Sequence, residues 1–410
     1  MRRVVITGMG VICPLGLNVN QFWEQLGAGK SGVCTISRFD ASDYPVKVAA
    51  EVKQFEPGQY IDGKTIQRNP RSVHFAIPAA KEAISQARLD MTEEQPERIG
   101  VVGSTMLEYH YVGEDWVKLK EKGPRRVDPL LLHKAGPSTV SLQIGMLLGA
   151  NGPNITVNSL CASGSEIVAT AYDYIRLNYA DVMIAVASDA SLSELGIAAA
   201  SLIGALTRES DPDKASRPFD LHRSGFVYGE GCGVLVMESL AHAQKRGISI
   251  LGEVAGVGRT FDAYDFTAPR AETEALAMKL ALESSNVRPN EIDYINAHGT
   301  STKLNDINET KAIKMVLKER AYQTPISSFK SMFGHLVTAA GAVEVIGTLL
   351  GMNKGVIPPT IHYQTQDPQC DLDYVPNEAR KAQIDTCLKN NFGLGGQNCC
   401  LVLKRFTNGS

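Results

Sequence analysis

Short runs that are apolar at consecutive positions, rather than alternately, most restrict what this chain can become. VVIT (4–7), RIGVVG (98–103), ITVNSL (155–160), VMIAVA (182–187) and CGVLVM (232–237) lie in the first half, and the second half repeats the style at 248–257, 292–295, 326–328 and 399–403. A strand written this way is covered on both faces, which calls for helices above and below a sheet. The intervening segments supply them. Residues 166–179 put Ile167, Val168, Ala171 and Ile175 on one stripe, 272–284 and 309–318 are spaced similarly, and 340–350 is so apolar that it predicts a helix buried all round. The alternation, punctuated by Gly-rich turns, predicts an α/β architecture. No low-complexity linker interrupts it, so the expectation is two similar halves, 1–250 and 251–410, in one unit. Residues 39–71 and 107–135 are charged and irregular and read as insertions that build a cap or a subunit contact.

Composition removes several function classes. A formal net charge of -3 over 410 residues, with no long basic run, gives no bias toward nucleic acid. The eight cysteines include no CxxC pair, which argues against zinc and redox motifs and for reduced thiols in a cytoplasmic protein. The N-terminal MRRVVITGMG reads as a first strand closed by Gly8, not a leader, and no stretch is long and apolar enough for a membrane span. Its GMG lacks the third glycine of a dinucleotide fingerprint.

Four segments carry chemistry. In VNSLCASGS (157–165) an apolar strand runs into Cys161, small residues and then a helix. A thiol there meets free N–H groups and the positive end of the helix, which favour thiolate; the same pattern also suits a buried cysteine in a βα turn. In NAHGTSTKLNDINET (296–310), His298 closes a strand beside Gly299, placed to face a cleft or to bond locally within its turn. Asp306 and Glu309 open a helix, where acids are favoured, and Asp306 reads as a cap. In SSFKSMFGHLVTAAGAVE (327–344), Lys330 stands among apolar and small residues and needs a partner if buried, for which Glu309 is the natural candidate. His335 precedes the apolar helix, where a neutral imidazole is favoured. NNFGLGGQN (390–398) offers backbone N–H groups to a ligand, but it precedes a strand and no GK[ST] follows, unlike a phosphate loop. One cysteine and two histidines at strand ends, away from metal spacing, point to covalent thiol chemistry.

With these motifs in this order, and with the segment RPFDLHRSGFVYGEG (217–231), the chain resembles the β-ketoacyl-acyl-carrier-protein synthases of the type II elongating class over roughly residues 2–405. The resemblance implies a duplicated, thiolase-like αβαβα fold in five layers, with the nucleophile and the insertions in the first half and both histidines in the second. It implies decarboxylative Claisen condensation of malonyl-acyl-carrier protein with an acyl chain on Cys161, in fatty-acid or type II polyketide elongation. Cys161 would be the nucleophile, His298 and His335 the pair acting on the malonyl thioester, and Lys330 and Glu309 their supporting pair. The backbone N–H groups of Cys161 and Leu394 would form the oxyanion hole. Phe392, Leu394 and Met106 would line or gate the acyl pocket. No metal and no tightly bound cofactor is expected, because substrates arrive on the phosphopantetheine of an acyl carrier protein. Lys64, Arg68, Arg71, Arg125, Arg126 and Arg208 are candidate contacts for that acidic carrier. The expected assembly is a homodimer, or a heterodimer with a chain-length-factor-like subunit.

The chain departs from the family pattern at Leu394, where a second Phe is usual, and at 106–110 (MLEYH), where a Gly-rich stretch often lines the pocket; these departures point toward specialised chain elongation. Two rival readings are weaker. A non-catalytic chain-length partner would lack the cysteine. A degradative thiolase would use a second catalytic cysteine, for which only Cys399 is near, and the two-histidine pattern fits it poorly.

Overall fold

The apolar runs become ten principal strands in the computed structural model, which describes residues 1–407. Five lie in the first half: β1 (Val4–Ile12), β2 (Ile99–Ser104), β3 (Asn154–Thr156), β4 (Val182–Asp189) and β5 (Gly231–Ser239). Five lie in the second: β6 (Gly252–Phe261), β7 (Tyr294–Asn296), β8 (Ile326–Ser327), β9 (Thr386–Phe392) and β10 (Gln397–Lys404). The spatial order is β8-β7-β9-β10-β6-β1-β5-β4-β2-β3. Each half therefore has the same internal plan. Its first strand pairs antiparallel with its last, the last antiparallel with its fourth, and the fourth parallel with its second, which is parallel to its third. The halves join where Val4–Ile6 of β1 meet Gly252–Val254 of β6, antiparallel.

The helices make the other layers. On the outer face of the first half lie α1 (Arg71–Gln86) and, after the insertion helix α2 (Tyr109–Lys122), α3 (Thr139–Leu148). The inner layer begins with α4 (Ser163–Arg176); α5 (Glu194–Leu202) leaves the layers and packs near α2. α6 (Ala271–Ser285) and α7 (Lys303–Leu317) cover the outer face of the second half, and α8 (Ala340–Lys354) completes the middle layer against α4. The result is the expected αβαβα arrangement.

α8 is buried almost along its length, as its composition predicts. α4 and α8 cross at two glycines: a Cβ on Gly164 would lie 2.5 Å from the Gly341 nitrogen, and one on Gly341 would lie 2.4 Å from the Ser165 nitrogen. This close crossing brings both helix N-termini to the centre of the molecule.

β1 does not end at Gly8 as expected but continues through Gly10 to Ile12. The glycines serve packing rather than a turn: a Cβ at Gly8 would stand 2.0 Å from the Ala83 oxygen and one at Gly10 1.8 Å from the Ala79 oxygen, so α1 lies directly on the strand. Within residues 39–71, Phe39, Tyr44, Val46 and Ala49 share an apolar cluster with Tyr228 and Val337, close to His335. The other insertion folds into α2 and short helical turns, and Trp116, Val117 and Leu132 remain exposed.

Candidate active site

Cys161 stands in a single turn of 3₁₀ helix, Leu160–Ala162, between β3 and α4. Leu160 adopts φ 51°, the left-handed region, so the chain is strained immediately before the nucleophile candidate. The turn packs against the turn Val337–Ala339, just beyond His335, and against the adjoining strands β9 and β10. The backbone N–H of Leu394 is close enough to the Cys161 thiol to favour its ionised form. Burial pushes that thiol above its ordinary range; the Leu394 N–H and the Lys330 charge pull it down but do not win. The expected preference for thiolate is thus outweighed in the resting site by desolvation.

His298 follows β7 and is 2% exposed. Gly299, at φ 40°, makes the turn; a side chain there would meet the Ser328 Cβ at 2.5 Å. Glu309 on α7 holds this turn, accepting from the N–H groups of His298 (2.8 Å) and Gly299 (2.7 Å) and from Asn390 Nδ2 (3.1 Å). The expected Lys330–Glu309 pair does not form. Lys330 pairs instead with Glu344 of α8 at 2.5 Å, because the carboxylate of Glu309 is already occupied by backbone donors. Glu344 also meets Lys389 at 2.8 Å, and Lys330 Nζ donates to the His298 carbonyl at 2.7 Å. Asp306 accepts from the N–H groups of Phe219 and Thr300 and faces Arg223, a structural anchor of the same turn.

His335 is 1% exposed and locked by its backbone, donating to the Val227 carbonyl (2.7 Å) and accepting from Gly229 (2.9 Å). Its Nδ1 accepts from the N–H of Val337 at 3.1 Å. Val337 is held at φ 46°, a strained conformation for a β-branched residue. The bond fixes the tautomer: the proton sits on Nε2, and that atom is buried without a partner. His298 has the same tautomer. Its Nδ1 faces Asn391 Nδ2 at 3.3 Å, and Asn391 Nδ2 must be the donor because it also serves the Glu344 carboxylate at 3.1 Å. The rings lie 5.5 Å apart, nearly perpendicular at 84°. Both imidazoles are held well below their ordinary range, first by burial and then by the positive charges of Lys330 and Lys389.

Glu344 pairs with both lysines, and the positive charges of Lys330 and Lys389 act on both imidazoles. The arrangement therefore offers a nucleophile candidate, two neutral N–H donors and a field that favours developing negative charge. Phe392 packs edge-on to His298, centroids 5.8 Å apart, and Leu394 is half-buried beside the Cys161 turn. Met106 packs into the cluster that holds Val337 and Tyr228.

Sequence reasoning missed Glu344, Lys389 and Asn391. A signal was present: a carboxylate within the apolar helix AGAVEVIGTLL and a lysine within the apolar strand TCLKNNF each demand a buried partner. Among the carrier-contact candidates, Lys64, Arg68, Arg125, Arg126 and Arg208 are exposed. Arg71 is half-buried: its guanidinium holds the buried Glu230 carboxylate at 3.0 and 2.9 Å and lies 4.6 Å from the Phe75 ring. Cys399, the thiolase candidate, is buried in β10 beside Glu166 and Arg259, and burial holds its thiol well above the ordinary range.

Residues 1–243 match the family described as Beta-ketoacyl synthase, N-terminal domain, and residues 251–364 match Beta-ketoacyl synthase, C-terminal domain. Among curated proteins, the 3-oxoacyl-[acyl-carrier-protein] synthase 2 of Coxiella burnetii is 42% identical over 408 residues, covering 98% of this chain and 99% of the relative. The protein of the same name from Synechocystis sp. is 41% identical over 411 residues, covering 99% and 98%. Among solved structures, a type II polyketide synthase ketosynthase, in complex with its acyl-carrier protein and bound to the hexaketide, superposes with a TM-score of 0.92 at 34% identity, covering 99% of this chain and 100% of that one. The ishigamide ketosynthase/chain length factor gives 0.91 at 36% identity, with the same coverage.

Proposed function

The chain belongs to the β-ketoacyl synthase family, and from that premise we propose the following reaction and division of labour. The enzyme is an acyltransferase that condenses malonyl-acyl-carrier protein with an acyl chain held on Cys161. The Cys161 thiolate attacks the acyl-carrier thioester carbonyl. The tetrahedral oxyanion is held by the N–H groups of Cys161 and Leu394, an effect worth about 3–4 kcal/mol for one donor. Collapse expels the carrier thiolate, which takes the proton that Cys161 released. Malonyl-carrier then places its thioester oxygen against the Nε2–H groups of His298 and His335. The electrons of the bond to the carboxylate flow into an enolate, and carbon dioxide leaves. The enolate carbon attacks the Cys161 thioester, forming the new carbon–carbon bond, and the expelled thiolate regains a proton from solvent. Lys330, Lys389 and Glu344 act as positioning residues, and Glu309 holds the His298 turn.

The observation that carries this reading is the partnerless Nε2–H of His335, buried 5.5 Å ring-to-ring from a second neutral imidazole. Such a donor has no use in a merely structural site. The experiment is incubation with an acyl carrier protein, mass analysis of the Cys161 peptide, and then addition of malonyl-carrier. We expect an acyl adduct on Cys161 that is consumed with release of carbon dioxide, and no condensation by a folded Cys161→Ala variant. Undiminished product from that variant would refute the assignment.

The partner is an acyl carrier protein, met by the exposed cations Lys64, Arg68, Arg125, Arg126 and Arg208. Arg208 follows Thr207, whose N–H donates to the Phe226 carbonyl at 3.0 Å, and the Phe226 ring rests 5.1 Å from His335. The assembly is a homodimer built on an apolar face. Trp116 and Val117 of α2, Leu132, Met146 of α3 and Leu202 of α5 are all exposed, and β3 is an unpaired sheet edge on the same half. Among the described residues, no helix is long and apolar enough to cross a membrane; the enzyme works in the cytoplasm, where its substrates are carrier-bound.

A further inference from the structure

Asp189, the last residue of β4, is fully buried. Burying a carboxylate is costly unless its oxygens are hydrogen-bonded, and here each accepts two bonds. Oδ1 accepts from the Ser191 N–H at 3.0 Å and from the Ser191 hydroxyl at 2.5 Å. Oδ2 accepts from the Thr338 N–H at 3.2 Å and from the Thr338 hydroxyl at 2.9 Å, closer than that hydroxyl's other acceptor, the Ser188 carbonyl, at 3.5 Å. Burial pushes the carboxyl up to about 6 against the pull of these donors, so it is ionised at neutral pH.

Both oxygens lead to His335. Thr338 is the middle residue of the turn Val337–Ala339, and the Val337 N–H beside it makes the 3.1 Å bond to His335 Nδ1. On the other side, the Ser191 hydroxyl donates to Asp189 and so accepts from the Tyr228 hydroxyl at 2.7 Å. Tyr228 lies beside His335 across a backbone bridge, between Val227 and Gly229, which bond the His335 backbone. The carboxylate therefore closes a ring of hydrogen bonds through His335, holding both the segment alongside it and the turn beyond it. A cap for the N–H groups ahead of α8 needs only the arm to Thr338. The second arm ties that cap to the segment on which the His335 backbone is mounted. Val337, within the ring, keeps φ 46°, and such strain persists only where the surroundings over-determine it.

We propose that Asp189 is a positioning residue for the condensation, its carboxylate fixing the Val337–Ala339 turn so that the Val337 N–H stays on His335 Nδ1 and the imidazole proton stays on Nε2. The proposal rests on the reaction assigned above. Without the carboxylate the strained turn relaxes, and Nδ1 loses its donor and takes the proton. Nε2 then turns a lone pair toward the position where the enolate oxygen develops. That oxygen is a stronger acceptor than the thioester oxygen from which it forms, so the loss falls on kcat rather than on KM for malonyl-carrier. Acylation of Cys161 uses the N–H groups of Cys161 and Leu394 instead. The negative charge of Asp189 opposes ionisation of that thiol, so removing the charge leaves acylation as fast or faster.

The test separates the half-reactions of the full-length enzyme at neutral pH. Acyl transfer from acyl carrier protein to Cys161 is read by peptide mass. Condensation of the preloaded acyl-enzyme with malonyl-carrier is read as carbon dioxide released over a series of malonyl-carrier concentrations. Asp189→Asn keeps the side chain's size but replaces one acceptor oxygen by a donor. Its condensation kcat should fall about tenfold or more, with KM within about twofold and acylation no slower than in the wild type. Thr338→Val, which removes one of the two donors to Oδ2, should lose condensation in the same sense, and Thr338→Ser should retain it. Long-range proton–nitrogen spectra of histidine-labelled enzyme read the tautomer directly: His335 protonated on Nε2 in the wild type, and on Nδ1 in part or wholly in Asp189→Asn. Undiminished condensation by Asp189→Asn, an equal loss in both half-reactions, or an unchanged His335 tautomer overturns the proposal. Should Asp189→Asn fail to fold, the two Thr338 variants decide, and equal condensation rates for them overturn it. Acylation and condensation by the wild type report on the reaction itself, so its failure is distinguishable from a failure of this role for Asp189.

Discussion

At Cys161 two physical effects oppose each other. The N-terminus of α4, the Leu394 N–H and Lys330 stabilise a thiolate, while burial destabilises it, and burial wins: the thiol's pKa lies above its ordinary range. At neutral pH the free enzyme then holds less thiolate than an exposed cysteine would. The rate at which iodoacetamide alkylates Cys161 should accordingly climb about tenfold per pH unit from neutrality toward 9, without levelling off. Alkylation followed by peptide mass spectrometry measures this, and a plateau below pH 8 would mean that the helix terminus and the lysine outweigh desolvation. The histidines behave in the opposite sense. Their pKa values are pushed down by burial and by Lys330 and Lys389, so they stay neutral, as hydrogen-bond donors through Nε2, well below pH 6.5. Thiol ionisation, and not the imidazoles, sets the lower limb of the acylation profile.

At the scale of elements, the site depends on how closely α4 and α8 approach. Gly341→Ala sets a methyl group 2.4 Å from the Ser165 nitrogen, so the backbone of α4 must move away, and with it the turn that holds Cys161. The expected cost is about 1–3 kcal/mol of stability, as for other overpacked cores, with slower acylation of Cys161. Gly63→Ala, where an added Cβ meets nothing within 4 Å, should do neither. Denaturant midpoints and acylation rates for the pair measure the difference, and a neutral Gly341→Ala would show that the crossing is not what positions the thiol. The same elements mark what the sequence made legible. Continuous apolar runs disclosed the strands, and the all-apolar 340–350 disclosed a buried helix, because burial on every side leaves no room for alternation. Cys161 and His298 were legible because each follows a strand and sits beside small residues; His335 follows not a strand, as expected, but the short helix Lys330–Phe333, and was legible from Gly334 before it and the apolar helix after it. The partner of Lys330 was not. Glu309 and Glu344 both lie in segments already singled out, and which of them meets Lys330 depends on tertiary placement that spacing does not encode. The continuation of β1 past Gly8 was misread for a related reason: a glycine needed for a helix to sit on a strand looks, in sequence, like a glycine needed for a turn.

At the scale of the molecule, the first half leaves several large apolar side chains in solvent. Leu132 is 90% exposed and Leu202 89%, with Trp116 and Met146 more than half exposed on helices of the same half. Stable interfaces bury about 800 Å² per partner, and aromatic and Met side chains are enriched in them. Exposed apolar side chains of this kind, on the half that also carries the sheet's free edge strand, suit closure by a two-fold axis, in which the same patch serves both subunits. The wild type should sediment at twice the 44.3 kDa of the chain at micromolar concentration. Replacing Leu132 and Leu202 together by Asp should shift it to the single-chain mass with little loss of monomer stability, because exposed side chains contribute little to it. Activity should fall with association, since the edge strand β3 ends only five residues before Cys161 and loses its neighbour when the partner leaves. Velocity sedimentation and condensation assays on the same samples connect the two effects. A wild type that stays monomeric at these concentrations, or pairs only with a different co-expressed ketosynthase-like chain, would exclude a second copy as the occupant of this face. A double variant that is monomeric yet fully active would separate the interface from the chemistry, and β3 would then owe its position to β2 and to Ser141 of α3.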